Sequence, residues 1–203
     1  MCKVSGRAIQ NELRNPIGLR AKLGQIIFFA VITIILYERI AEDQNSYLQN
    51  LRGTIFFFVM NMGFSSVFGA LNLFNVERPV FIRERLSNTY STSPYFFGRS
   101  LSYMPEEVIL PLVLVAISYF VVNLNETAAS FFMTYLSLFL VSWMGSAYGL
   151  FLSTLFSDAE VAMSLVPVLM IPFMLVGGFF APLSNVPDFY KVFEYLSMFK
   201  YGF

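Results

Sequence analysis

Long apolar runs alternate with short polar ones along this chain, and their lengths predict five membrane-crossing helices. A crossing needs about 20 apolar residues for roughly 30 Å of hydrocarbon. Arg52 and Glu77 enclose 24 uncharged residues, and Glu107 and Glu126 enclose 18, so both runs reach across. Lys22 and Glu38 enclose only 15. There Lys22 and Arg39 can snorkel and Gln25 can sit at the interface, so the shorter run serves as a first span. The predicted spans are 23–40, 53–76, 106–124, 130–152 and 161–180. The third has Pro111 in its first turns, and the fifth holds Pro167, Pro172 and the pair Gly177-Gly178. Broken helices are tolerated in a membrane against protein or a water-filled cavity, although a kink without a transport role uses the same residues.

The polar intervals carry the rest of the pattern. Residues 1–22 hold Lys3, Arg7, Arg14, Arg20 and Lys22 against the single acid Glu12, with no apolar core of a secretory signal. Ile9, Leu13, Ile17 and Arg20 recur at helical spacing, which suits a connecting helix region at the interface, and Asn15-Pro16 divides it in two. Residues 77–105 form the densest charged interval, opening with Glu77-Arg78-Pro79-Val80-Phe81-Ile82-Arg83-Glu84-Arg85. Pro79 suits a first helical turn and Glu77 the positive end of a helix dipole, so a short amphipathic helix on the membrane surface is expected. A solvated loop joining two spans has the same charge pattern. After Phe180, residues 181–200 are punctuated by Pro182, Pro187 and Asp188 and rich in aromatics, which predicts an extracellular re-entrant segment.

Composition sharpens this picture. The chain is 57% hydrophobic and 13% charged, about half the charge of a soluble domain, so it is a membrane protein. Its formal net charge of zero offers nothing to nucleic acid. Cys2 is the only cysteine and histidine is absent, which leaves no internal disulfide, no cysteine metal cluster and no histidine general base. No metal ligand set and no catalytic residue is assigned. With the N-terminus inside, nine Lys and Arg fall on cytosolic segments and four outside, which puts the Glu77 interval in the cytosol. The same topology places the one glycosylation sequon, Asn125-Glu126-Thr127, outside on a short loop close to the bilayer.

Phe57, Asn61 and Phe64 lie at i, i+4 and i+7 and share one helix face. A polar Asn61 between two rings in mid-span is costly toward lipid and reasonable toward a cavity or a neighbouring helix. With 24 phenylalanines in the chain, helix packing is the competing explanation.

The Glu77–Arg85 stretch, followed by Tyr90 and by Ser93-Pro94-Tyr95-Phe96-Phe97, resembles the first intracellular loop of the G subfamily of ABC transporters, the White and multidrug-resistance half-transporters. In the same order come Asn15-Pro16, Arg52-Gly53 with Phe56-Phe57, Phe64-Ser65-Ser66, Gly177-Gly178-Phe179-Phe180, and Tyr195-Leu196-Ser197 through Lys200-Tyr201-Gly202-Phe203. The resemblance covers nearly the whole chain. It implies an all-α membrane protein, a polytopic helical bundle with five spans of a six-helix ABC-2 type exporter domain, plus amphipathic connecting and coupling helices. By position it implies that Glu77, Arg78, Arg83, Glu84 and Arg85 couple to an ATPase domain, with Arg14 or Arg20 beside them. It also implies that Phe57, Asn61, Phe64, Pro167 and Ile171 line a substrate cavity at a dimer axis, and that Phe179 and Phe180 form its outer gate.

The implied partners are membrane lipids, an ABC ATPase domain, a second half-transporter in a homo- or heterodimer, and an apolar or amphipathic small molecule. Nothing in the sequence matches Gly-x-x-x-x-Gly-Lys-Ser/Thr, so no cofactor is expected on this chain, and ATP and Mg are expected on the associated ATPase domain. Tyr103 stands where the family has an acid two residues before the proline, a role open to Glu106 and Glu107. The chain is expected to be truncated before a sixth helix. Two functions are thus expected: the transport domain of an exporter moving lipid, sterol or xenobiotic, or a non-transporting membrane subunit that assembles with a full-length relative. An intramembrane enzyme is disfavoured by the absence of histidine and of any acidic pair within a span.

Overall fold

The structure, a computed structural model, describes residues 16–38, 47–87, 91–121, 128–156, 158–180 and 191–203. The apolar runs fold as α1 (Pro16–Glu38), α2 (Tyr47–Leu86), α3 (Thr92–Val121), α4 (Ala128–Leu155) and α5 (Ala159–Leu175), followed by the short α6 (Lys191–Leu196) and α7 (Met198–Gly202). Leu51–Leu86, Tyr95–Ser118 and Ala128–Leu155 are each long and apolar enough to cross a membrane, and Lys22–Ile35 and Ala159–Leu175 are shorter apolar helices. The molecule is a helical bundle of an integral membrane protein. Pro16 starts α1, where its missing N–H costs nothing, so residues 16–22 continue into the first span rather than forming a separate helix.

The bundle is built around α2, which packs most extensively on α4 and also meets α1, α3, α5 and α7. Its buried face contributes Phe58, Val59, Met62, Val67 and Leu71 to a core shared with Ile26 of α1, Leu114 of α3 and Leu138 of α4. Gly145 and Gly149 bring α4 against α2: a Cβ on Gly145 would lie 2.9 Å from the Gly63 carbonyl oxygen, and one on Gly149 would lie 2.9 Å from the Ala70 Cβ. Small residues of this kind let helix backbones approach closely where lipid gives no hydrophobic drive.

Two expected features are corrected. Pro79 does not begin a helix; it lies inside α2, which runs through it to Leu86. Forty residues at 1.5 Å each make about 60 Å of helix, twice the hydrocarbon thickness, so the charged stretch continues the helix of the span instead of forming a helix of its own. One missing helical hydrogen bond is outweighed there by contacts on both sides of Pro79. Phe81 packs at 4.4 Å on the Tyr95 ring, and Glu77 and Arg78 are held by neighbouring helices. The interval 77–105 is also mostly helical, because α3 already begins at Thr92.

At the opposite end, Gly178 has φ 90°, a left-handed conformation that glycine adopts without strain, and it turns the chain after α5. The Ser197 hydroxyl donates to the Phe173 carbonyl at 2.6 Å and accepts from the Lys200 N–H, so one side chain caps α7 and ties it to α5. Ser197→Ala is expected to cost about 1 kcal/mol in thermal unfolding of the purified protein, the usual loss for an N-cap. Lys200 donates to Glu194 at 2.5 Å, and that bond raises the lysine pKa above its ordinary value.

Candidate functional site

A groove of about 480 Å³ lies between α1 and α2, lined by Lys22, Gln25 and Phe29 on one side and by a stripe of α2 on the other. That stripe runs Phe57, Asn61, Phe64, Phe68 and Asn72, spaced by three or four residues, with Met60, Ser65 and Gly69 along its edges. Phe29 and Phe57 meet edge to face at 5.6 Å, and Phe64 stacks on Phe68 at 6.4 Å. The Asn61 Oδ1 is buried with no hydrogen-bond partner among the described residues. A buried acceptor left unmade costs roughly 1–3 kcal/mol, so a ligand donor or ordered water there would be stabilising.

Three of the five expected cavity residues, Phe57, Asn61 and Phe64, thus share one surface. Pro167 and Ile171 do not join it within this chain: both are exposed on α5 and absent from the lining. Sequence reasoning missed the wall from α1, although Lys22, Gln25 and Phe29 at i, i+3 and i+7 mark a single helix face.

Phe179 and Phe180, the expected outer gate, sit against the residue next to Phe57. Phe56 stacks on Phe179 with centroids 4.5 Å apart and planes 10° apart, and Phe180 meets it edge-on at 5.3 Å. Phe203 closes the aromatic cluster at 6.0 Å from Phe56. Phe56 is buried while Phe179 and Phe180 keep exposed faces. A flat surface anchored on one buried ring can hold an aromatic or close an opening with little loss of rotamer freedom.

At the charged end of α2 the expected coupling residues divide. Glu77 pairs at 3.1 Å with Arg99 of α3, which is only 2% exposed, and accepts a hydrogen bond from the Tyr95 hydroxyl. Arg78 donates at 2.7 Å to the carbonyl of Phe156, one of the C-terminal carbonyls of α4 that its own helix leaves unbonded. These two residues knit α2 to α3 and α4. Arg83 and Arg85 are exposed, and Glu84 is half-buried beside them. Arg20 is exposed on α1, whereas Arg14 and Asn125 lie outside the described residues.

One buried acid, Glu107, was not singled out as a structural centre. The Glu107 carboxylate of α3 accepts from Ser66 of α2 at 3.1 Å and from Ser142 and Ser146 of α4, while Ser66 and Ser142 touch at 2.6 Å. Three serine hydroxyls around one carboxylate satisfy lone pairs on both oxygens and tie three helices at mid-bundle. Its neighbour Glu106 pairs instead with Lys22 of α1. The i, i+4 spacing of Ser142 and Ser146 is visible in the sequence, but which acid faces them is not.

The sequence profile of the ABC-2 type transporter family matches residues 2–203. The chain is 33% identical over 196 residues to the protein white of Drosophila melanogaster, covering 97% of this chain and 28% of that protein. It is 30% identical over 200 residues to the ABC transporter G family member 1 of Dictyostelium discoideum, covering 97% of this chain and 25% of the relative. It is also 31% identical over 203 residues to the broad substrate specificity ATP-binding cassette transporter of Sus scrofa, covering 98% and 30%. The chain therefore spans less than a third of the length of these relatives.

Proposed function

Because the chain belongs to the ABC-2 type transporter family and is homologous over nearly its whole length to the White and G-family transporters, we propose that it is the membrane domain of an ATP-driven exporter. The cargo is a lipid, a sterol or an amphipathic xenobiotic, moved by alternating access between the two sides of the bundle. The groove carries this reading: one stripe of α2 joins aromatic faces to an unpaired amide, the composition of a site for a flat apolar molecule with one polar anchor. Energy comes from a partner ATPase domain that holds ATP and Mg, and no residue of this chain is assigned to either. Arg83 and Arg85, with Glu84 beside them, stand where α2 projects past the bilayer and offer that domain a charged grip. A second half-transporter completes the assembly and brings its own copy of α2 and α5.

Movement passes along rigid helices in this scheme. Force applied at Arg83 and Arg85 acts on the same unbroken helix that carries Phe57, Asn61 and Phe64, so a tilt of α2 reshapes the groove directly. In the intact transporter, Phe57→Ala with Phe64→Ala is expected to lower the export rate at least about tenfold, since each ring contributes about 1.5–3 kcal/mol of burial to a bound ligand. Phe151→Ala, on an exposed face of α4, serves as the control and is expected to leave export unchanged. Undiminished export by the double variant in membrane vesicles would remove the groove from the transport path.

A further inference from the structure

The groove carries its charge at one end only. Helices α1 and α2 run antiparallel along it: Phe29 meets Phe57, while Lys22, seven residues earlier on α1, lies against Gly69, twelve residues later on α2. At 1.5 Å per residue the two ends are about 18 Å apart. Toward Phe57 the walls are Phe29, Met60, Asn61 and Phe64; toward Gly69 they are Lys22, Gln25, Ser65, Phe68 and Asn72. A Cβ on Gly69 would come within 2.7 Å of the Lys22 Nζ, so the ammonium rests on bare backbone and crosses α2 to reach Glu106 on α3.

The lining holds one cation and no acid. Glu106 grips Lys22 from the α3 side and does not line the groove, so an occupant meets the ammonium and not the carboxylate. An ammonium has three N–H donors, and the pair with Glu106 leaves two for a ligand. The amides of Gln25 and Asn72 and the Ser65 hydroxyl add neutral donors around it. With Lys22 at the cytosolic boundary of its span, this end opens at the level of the inner-leaflet headgroups.

We infer that the groove selects amphiphiles with a single anionic head, a carboxylate, sulfate or phosphate monoester, seated on Lys22, Gln25 and Asn72 with the apolar body laid over Phe68, Phe64 and Phe57. This rests on the groove being the substrate site. The charged head supplies selectivity through charge-assisted bonds at the membrane boundary, and the rings supply affinity that any apolar body can claim. A cationic head of the same shape meets the ammonium, and the one acid beside it, Glu106, is already paired with Lys22 outside the lining.

The test uses the full chain in nanodiscs of zwitterionic lipid, with 1-pyrenebutanoate, 1-pyrenebutanol and pyrenebutyl-trimethylammonium as matched probes and empty discs as the baseline. The butanoate is expected to bind about tenfold more tightly than the butanol, and the ammonium probe more weakly than either. Lys22→Gln is expected to lower the butanoate affinity to about that of the butanol, removing the preference for the anion. The double variant Lys22→Gln with Glu106→Gln, which leaves no acid unpaired, gives the same result. Phe64→Ala weakens the butanoate and the butanol by the same factor. Equal affinity for anion and alcohol in the wild type, or a preference that survives both Lys22 variants, overturns the inference and leaves the groove as a binding site. Absence of saturable binding, or no effect of Phe64→Ala on either probe, overturns the site itself. Displacement of the butanoate by lysophosphatidate supports an amphiphile drawn from the leaflet. Equal displacement by inorganic sulfate shows a free-anion site and overturns the inference.

Discussion

Gly149→Leu is expected to abolish recovery of a folded, monodisperse protein, and Gly149→Ala to lower its stability by about 1–3 kcal/mol, the usual cost of overpacking. The α2–α4 contact is the largest in the bundle, and Gly149 sits where α4 lies on the backbone of α2. Its missing Cβ would run into the Val67 carbonyl oxygen as well as the Ala70 Cβ. A backbone carbonyl has no rotamer to escape into, so the two helices must separate. Gly145, one turn earlier, faces the Gly63 carbonyl in the same way, which leaves the pair no room to pivot about either contact. Separation would also part Ser66 of α2 from Ser142 of α4 and leave the Glu107 carboxylate they share short of a donor in the middle of the bundle. Gly24→Ala is the matched control, since a Cβ there meets nothing within 4 Å and alanine is the better helix former. Size-exclusion profiles and thermal unfolding in detergent separate the three variants. A Gly149→Leu protein as stable as the wild type would show that α2 and α4 do not pack as described.

The apolar runs foretold the helices well because length against bilayer thickness is a property of local sequence. Phe57, Asn61 and Phe64 were legible as one face for the same reason, helical spacing being local too. What that face looks toward was not legible. Lys22 and Phe29 supply the opposite wall through the antiparallel docking of α1, and Pro167 and Ile171 fall outside it because the rotation of α5 against α2 is a tertiary choice. Pro79 misled for a different reason: a proline is expected to start a helix, but contacts made by Glu77, Arg78 and Phe81 outweigh the one bond it removes. The buried acids show the same limit. Glu106 and Glu107 are adjacent in sequence, yet a helix turns by about 100° per residue, so one reaches Lys22 of α1 and the other the serines of α2 and α4. Arg99 was counted as one more cytosolic charge, whereas it is among the most buried large side chains of the fold.

Arg99 gives the charged end of α2 its sharpest test. Glu77→Ala is expected to destabilise the fold by about 3 kcal/mol, the low end for removing one partner of a buried ion pair, because Glu77 itself is 26% exposed. Arg99 would keep Tyr103, whose ring lies 4.9 Å from its guanidinium, and lose the carboxylate it pairs with at 3.1 Å. Glu77→Leu combined with Arg99→Leu is expected to recover most of that loss, since both members of the pair then go together. Arg83→Ala and Arg85→Ala change exposed residues and are expected to leave unfolding within about 0.5 kcal/mol of the wild type. In the intact transporter these two are nonetheless expected to lower export, as the proposed docking of an ATPase domain on this exposed end of α2 requires. The contrast separates two meanings of a charged residue in one stretch. A loss of export in Glu77→Ala that is matched by lost stability, and relieved in the Glu77→Leu/Arg99→Leu pair, reports a joint between α2 and α3. A Glu77→Ala protein that unfolds like the wild type but fails to export would show instead that Glu77 acts across the domain boundary, and the pair with Arg99 would then be incidental to the fold.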